Sequence, residues 1–274
     1  MNWKVIICLI SSLLILASIK TQAQCPLKND YFQAGEELTY DLYFKYGLIY
    51  TKAGNSSLKT VSERYKGKDA YKMTLLAQST GTVRKFFNLK DTLSCYMTKD
   101  LIPLAFIKDA FEGSDYTQET ATYTYVNDRV DISTKRIRNG TLRFDEKLTA
   151  ESCIYDMMSV VFYARTLNYS DMKKGDAYNV VFLSGKDKVT MDIIYRGIET
   201  VEANDKNKYE CIYLVLMIND NAFENKKEAM RVYLTNDENR MPVRLDSKLK
   251  IGSTRAILKS YKGNKHEVGS ASSK

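Results

Sequence analysis

The sequence predicts a mainly β fold: a single large curled antiparallel sheet or open, clam-like barrel, with one principal helix at about 152–167. Three observations predict it. Apolar residues recur at every second position through most of the chain, and short polar turns separate these runs. Only CIYDMMSVVFYARTL (153–167) crowds apolar side chains at helical spacing. Parallel sheets need crossover helices between strands, and the sequence offers no such alternation.

The first strand is EELTYDLYFKY (36–46), in which Leu38, Tyr40, Leu42, Phe44 and Tyr46 share a face until Gly47 interrupts them. After the turn KGKD (66–69), Tyr71, Met73, Leu75 and Ala77 alternate with Lys72, Thr74 and Gln78. DTLSCYM and LIPLAFIK flank a TKD corner at 98–100. TQETATYTYV (117–126) and RVDISTKRIR (129–138) flank Asn127-Asp128, and both pairs read as hairpins. Beyond the helix come YNVVFLS, the turn GKDK (185–188), VTMDIIYRG, IETVEA and KYECIYLVLMI. AMRVYLT, the turn NDENR (236–240), MPVRLDSKLKI and TRAILKSY end the series at roughly a dozen strands. Pro103 and Pro242 fall near strand starts, where a missing N–H is tolerated. The 20 tyrosines suit pleated faces, across which aromatic rings pack well.

In the helical segment, Ser152 is the expected N-cap and Asp156 lies near the positive end of the dipole. Ile154, Met157, Met158 and Val161 fall on one face, and Asp156, Ser159, Tyr163 and Thr166 form a narrow polar stripe on another. Two roles fit such a helix. It plugs the mouth of a curled sheet, or it lies as a lid over a ligand cavity in which adaptable methionines are useful.

The N-terminus reads as a secretory signal peptide (1–23): Lys4 supplies the positive region, Val5 to Ile19 the apolar region, and Thr21-Gln22-Ala23 the small-x-small cleavage site. The apolar stretch, about 15 residues, is shorter than the roughly 20 a membrane-spanning helix needs. Gln24 before Cys25 stands where a lipoprotein signal places a small residue. The reading is an exported protein of the periplasm or cell envelope of a Gram-negative bacterium, with no transmembrane span in the mature chain. Removing the signal leaves 251 residues (274 − 23), enough for one domain with its own core, at 24–262, followed by a flexible basic tail at 263–274.

Cys25, Cys95, Cys153 and Cys211 survive cleavage, while Cys8 goes with the signal. An exported chain can oxidise them, and four cysteines allow three pairings between which spacing does not choose. Cys95 and Cys211 also suit buried free thiols. The formal charge of +8 becomes +6 when Lys4 and Lys20 leave, since no acid lies in the signal. Basic runs such as TKRIRNGTLR (134–143) alternate with strand-like apolar residues, so they read as solvated strand faces and no nucleic-acid partner is expected.

Signals for catalysis are thin. The one histidine, His266, lies in the tail, which leaves a nucleophile relay or a His-bearing metal site without a base or ligand. G-x-S-x-G, P-loop and G-x-G-x-x-G motifs are absent, as is C-x-x-C, and no cofactor or metal is expected. Glu36, Glu37, Asp91, Asp156 and Asp192 are the carboxylates available to a histidine-free hydrolase.

FQAGEELTYDLYF (32–44), DMMS (156–159), KKGD (173–176), YRG (195–197) and NRMPVRLD (239–246) occur in that order. In this the mature chain resembles the exported domain-of-unknown-function family 3108 of Gram-negative, Bacteroides-like bacteria. The resemblance implies an exported β-rich domain and carries over no catalytic residue. Together these readings point to a non-catalytic envelope protein that binds or carries an apolar, lipid-like ligand, with Phe86, Phe87, Met158 and Phe162 as candidate lining residues. Two alternatives stand beside it: a structural or assembly factor contacting an envelope protein, and a carboxylate-dependent hydrolase needing two acids about 5 to 10 Å apart.

Overall fold

The computed structural model describes residues 26–127, 129–219, 227–248 and 252–269. The expected signal peptide, Cys25 and residues 270–274 of the tail lie outside the described residues. Fifteen strands form one sheet, and with a single exception each pairs antiparallel with its neighbours. They are β1 (Glu37–Tyr46), β2 (Ile49–Tyr65), β3 (Lys68–Ser79), β4 (Leu89–Thr98), β5 (Pro103–Glu112), β6 (Asp115–Val126), β7 (Arg129–Arg138) and β8 (Thr141–Ala150). After these come β9 (Ile154–Tyr155), β10 (Ala177–Ser184), β11 (Asp187–Glu202), β12 (Lys208–Asn219), β13 (Lys227–Thr235), β14 (Pro242–Lys248) and β15 (Ser253–Lys262). Two helices interrupt them, α1 (Val83–Phe86) and α2 (Ser159–Thr166).

The order is β8-β7-β6-β5-β4-β3-β2-β1-β15-β14-β13-β12-β11-β10-β9. Sequence neighbours are therefore spatial neighbours, except that the first and last strands pair in the middle of the sheet, Glu37 opposite Lys262 through Lys45 opposite Ser253. The two free edges, β8 and β9, are consecutive in sequence. Contacts bring the two ends of the sheet together, β7–β8 against the β10–β11 hairpin: Lys188 Nζ donates to the Thr149 carbonyl at 2.6 Å, and Thr134 Oγ1 to the Gly185 carbonyl at 3.0 Å. The sheet is thereby rolled into a nearly closed barrel, which shields edges that would otherwise template aggregation.

Turn chemistry sets the register. Asn139 and Gly140 both have positive φ, 51° and 75°, the backbone a two-residue hairpin turn between β7 and β8 requires. The Asn139 side chain also accepts from the Tyr116 N–H at 2.8 Å, tying that turn to β6. In β2, a Cβ on Gly54 would sit 2.0 Å from the Gln78 carbonyl oxygen, so only glycine permits this approach of β3.

The core lies inside the roll. Leu38, Met73, Cys95, Met97 and Ile132 are at most 1% exposed and line the interior of the first half. Ile193, Leu214 and Leu234 do the same for the second. Helix α2 sits between these groups: Phe162 packs edge-on against Phe32 with centroids 5.0 Å apart, while Val160 and Ala164 join the side built on β10–β13.

The helix is shorter than its sequence suggests. Ile154 and Tyr155 form β9, pairing parallel with Val181 and Phe182, so the segment begins as strand. The cap is Asp156 rather than Ser152. Asp156 Oδ1 accepts from the N–H groups of Met158 and Ser159, both at 2.9 Å, and Ser159 Oγ accepts from the Asp156 N–H at 2.8 Å. This reciprocal pair satisfies donors that a buried helix start cannot give to water.

The tail also departs from expectation, since residues 263–269 are docked. Asn239 Nδ2 donates to the carbonyls of His266 and Glu267, each at 3.1 Å, and Asn239 Oδ1 accepts from the His266 N–H at 2.9 Å. The Gly269 N–H reaches Asp237 Oδ2 at 3.0 Å.

Candidate functional site

Among the described residues three concavities stand out, and chemistry separates them. One, about 410 Å³, is bordered by Tyr43, Tyr50, Arg231, Asp246 and Arg255. Its acids are paired, Glu228 with Arg231 at 2.9 Å and Asp246 with Arg244 and Arg255, and with Lys45 and Lys248 also on its border the lining keeps a net positive charge. A second, about 490 Å³, is an open polar groove between Thr39, Ser57, Gln78, Lys90 and Lys259. The third, about 230 Å³, is lined almost wholly by carbon.

That third cavity lies inside the roll, at the start of α2. Leu42, Leu58, Leu75 and Leu93 from β1–β4 and Met230, Leu245 and Ala256 from β13–β15 supply one continuous curved wall, Leu42 lying directly across from Ala256 in the β1–β15 pairing. Met157, Met158 and Val161 form its floor. Polar groups are few: Ser56, Ser247, Thr254 and Tyr40, whose hydroxyl already donates to the Pro242 carbonyl at 3.0 Å. Burial also holds the Tyr40 phenol well above its usual range, so it stays neutral.

Register locates the opening. Leu42 stands four residues before the end of β1 and Ala77 two before the end of β3, while Met230 and Thr254 stand at the beginnings of β13 and β15. The cavity thus occupies the end of the barrel from which the β1–β2 turn, the β3–β4 connection and the β5–β6 turn project. Of the α2-side residues that form its floor, Met157 is the exposed one, at 52%.

The opposite end of α2 is locked by charge. Arg165 is fully buried and donates from Nη1 to Glu36 Oε2 at 2.6 Å and from Nη2 to Glu36 Oε1 at 2.8 Å. Its Nη2 also reaches the Asn239 carbonyl at 2.9 Å, and its guanidinium lies over the Phe32 ring at 4.8 Å. Residues from FQAGEE, the helix and NRMP therefore meet in one polar knot.

The sequence-derived candidates separate. Met158 lines the cavity, 3% exposed. Phe162 is buried one turn away against Phe32. Phe86 and Phe87 do not line it: they lie in and just after α1, 90% and 49% exposed, because α1 is a single turn carried on the outer end of the β3–β4 connection. Val161 and Leu75 carried the right periodicity, but Met230 lacked any signal, since its place depends on a strand pairing far along the chain.

The carboxylates are scattered. Glu36 is in the knot, Glu37 faces Lys262 at 3.2 Å on the surface, and Asp156 caps α2 while accepting from the Tyr123 hydroxyl at 3.1 Å. Asp192 accepts from Asn179. Asp91 is partly buried, and burial, reinforced by the negative charge of Glu112, pushes its carboxyl up to about 6. Cys153 is disulfide-bonded, with its partner outside the described residues, whereas Cys95 and Cys211 are buried free thiols. No group of three or more His, Cys, Asp or Glu side chains suited to a metal occurs among the described residues. No described helix is long and apolar enough to cross a membrane.

Comparison with known proteins agrees with the architecture. A β-barrel-like protein of domain of unknown function DUF1849 from Brucella abortus superposes with a TM-score of 0.55 at 9% identity, covering 84% of this chain and 98% of that one. A protein with a YmcC-like fold from Bacteroides fragilis gives a TM-score of 0.35 at 10% identity, covering 87% and 100%. No curated protein matches the sequence. At such identities the first likeness speaks for fold alone. Residues 39–259, spanning the strands from β1 to β15 and the capped helix, match the family described as "Protein of unknown function (DUF3108)", and the chain belongs to that family.

Proposed function

We propose that this protein is a non-catalytic binding or carrier protein of the cell envelope, which holds an apolar, lipid-like ligand in the cavity above the N-terminal turn of α2. The observation that carries this reading is the lining. A space of about 230 Å³ walled mainly by leucines, methionines and Val161, with Ser56, Ser247 and Thr254 as its few polar neighbours, offers little hydrogen bonding to hold water. Its volume falls just below the usual range of small-molecule sites, about 300 to 1,000 Å³, which suits one segment of an acyl chain better than a whole lipid. Met157, Met158 and Met230 enclose it, and unbranched thioether side chains can swing to enlarge it. Export rests on the signal-peptide pattern of residues 1–23.

The test is competition binding with an environment-sensitive fluorescent fatty acid. The processed chain is expected to bind the probe and to release it to unlabelled acyl chains. Val161→Trp, which fills the floor, is expected to abolish binding while the protein stays folded. A wild-type protein that leaves the probe in water would remove this function.

A further inference from the structure

Among the described residues, the rim of the barrel nearest the cavity mouth carries large apolar side chains that are mostly uncovered. Leu48 and Ile49, at the tip of the β1–β2 hairpin, are 105% and 61% exposed. On the next connection, Phe86 is 90% and Phe87 49% exposed. Scattered single apolar residues on a surface need no explanation. Four large ones on two adjacent tips at one end of a barrel do.

These tips are held in place. Thr80 N–H donates to the Ala53 carbonyl at 3.0 Å, tying the β3–β4 connection to β2. Gly113 N–H donates to the Asn88 carbonyl at 2.8 Å, tying it to the β5–β6 turn. Within α1, the Phe87 N–H reaches the Val83 carbonyl at 2.8 Å. Phe87 rests beside Gly113, and Phe86 is left 90% exposed among the described residues.

Charge identifies the occupant. Arg84 and Lys85 directly precede the two phenylalanines, and both are exposed. Segments 45–53 and 80–90 together hold five cations (Lys45, Lys52, Arg84, Lys85, Lys90) and no acid, although Lys52 is paired with Asp41 at 2.7 Å, and the acids of the adjoining β5–β6 turn, Glu112 and Asp115, are taken up by Lys108 and Arg138. Protruding apolar tips beside Arg84 and Lys85, which are unpaired among the described residues, fit a surface that is soft, apolar beneath and negative on top. A protein partner would instead call for a contiguous, closely packed apolar core inside a polar rim, and separate protruding tips do not supply one. We propose that this rim docks on an anionic phospholipid bilayer, with Leu48, Ile49, Phe86 and Phe87 entering the headgroup boundary and Arg84 and Lys85 contacting lipid phosphates. The docked barrel would point its cavity mouth at the membrane. The proposal stands on surface residues alone, so it survives if the cavity proves empty.

Vesicle co-sedimentation tests it. The processed chain is expected to pellet with vesicles of phosphatidylethanolamine plus phosphatidylglycerol, to bind phosphatidylcholine vesicles far less, and to lose binding at high salt. Phe86→Ser with Phe87→Ser is expected to weaken binding about ten-fold or more at unchanged melting temperature, and Leu48→Ser with Ile49→Ser serves as a second pair should the first perturb folding. The sole tryptophan, Trp3, lies in the expected signal peptide, so Phe86→Trp creates a single reporter whose emission should shift to the blue on anionic vesicles. Absence of wild-type pelleting, equal binding by both serine pairs, or an unshifted Trp emission overturns the proposal. So does a change of oligomeric state in the serine variants without vesicles, which would make a second protein the occupant.

Discussion

The guanidinium of Arg165, on the last turn of α2, grips the carboxylate of Glu36 just ahead of β1, through hydrogen bonds of 2.6 and 2.8 Å with neither side chain more than 1% exposed. The pair spans 129 residues of sequence and fastens the helix to the middle of the sheet, where the first and last strands meet. Removing one partner strands the other as a buried charge. Arg165→Ala and Glu36→Ala are each expected to cost about 3–5 kcal/mol, read as a lowered urea midpoint. Arg165→Met combined with Glu36→Leu should recover most of that loss, because two matched apolar groups avoid desolvation altogether.

At the other end of the helix, Asp156 is held by burial, which raises its carboxyl, against the N–H groups of Ser159 and Met158, which pull it down; the net shift is upward. Asp156→Ala deletes the cap and leaves the buried Tyr123 hydroxyl without its acceptor. The expected loss is about 3 kcal/mol, from a cap of about 1–2 and an orphaned donor of about 1–3. Asp156→Asn keeps an oxygen for the two amides, so its urea midpoint should fall by less than half as much.

These two locks mark the boundary of what the sequence discloses. Period-two alternation made the strands legible: Tyr71, Met73 and Leu75 do turn inward while Lys72 and Thr74 turn out. Local chemistry was also present in DMMS, whose Asp156 and Ser159 read as dipole and stripe residues but work as a reciprocal cap. That cap outcompetes the i, i+3 pattern beginning at Ile154, and a two-residue strand takes the place of the first helical turn. Arg165 in an otherwise apolar run gave a hint, yet its partner lies on the far side of a closed sheet, and pairwise contacts at such separation leave no periodic trace. Phe86 and Phe87 follow the same logic in reverse: apolarity suggested burial, and only the placement of α1 outside the roll makes them a rim.

Burial makes the free thiols inert. The Cys95 thiol is held well above its ordinary range by desolvation, with the Asp156 charge adding to it, and the Cys211 thiol is pushed up to about 12 for the same leading reason. A thiol reagent at neutral pH is therefore expected to leave the native processed chain unlabelled. In denaturant the count should rise to two, Cys95 and Cys211, and reduction of the Cys153 disulfide should bring it to four. Labelling of the native chain at the rate of the denatured one would contradict the buried positions.

Asp91 gives the protein a pH dependence of unusual sign. Its carboxyl titrates at about 6 in the fold against an ordinary 3.8, chiefly because burial penalises the charge, with Glu112 adding repulsion and Lys108 only partly offsetting it. One of its oxygens, Oδ1, is buried without a hydrogen-bond partner. Because the folded value is raised, the native state binds the proton more tightly than the unfolded chain. This residue's contribution to stability therefore falls as pH climbs from about 4 to about 6, and the penalty is complete above that window. Partial exposure screens it, so about 1 kcal/mol is expected rather than the full shift. Asp91→Asn should accordingly raise the urea midpoint at about pH 8, and the gap from wild type should close at about pH 4. A gap that instead widens on acidification would mean that the carboxylate is stabilised by a partner inside the barrel, and that burial does not govern its proton.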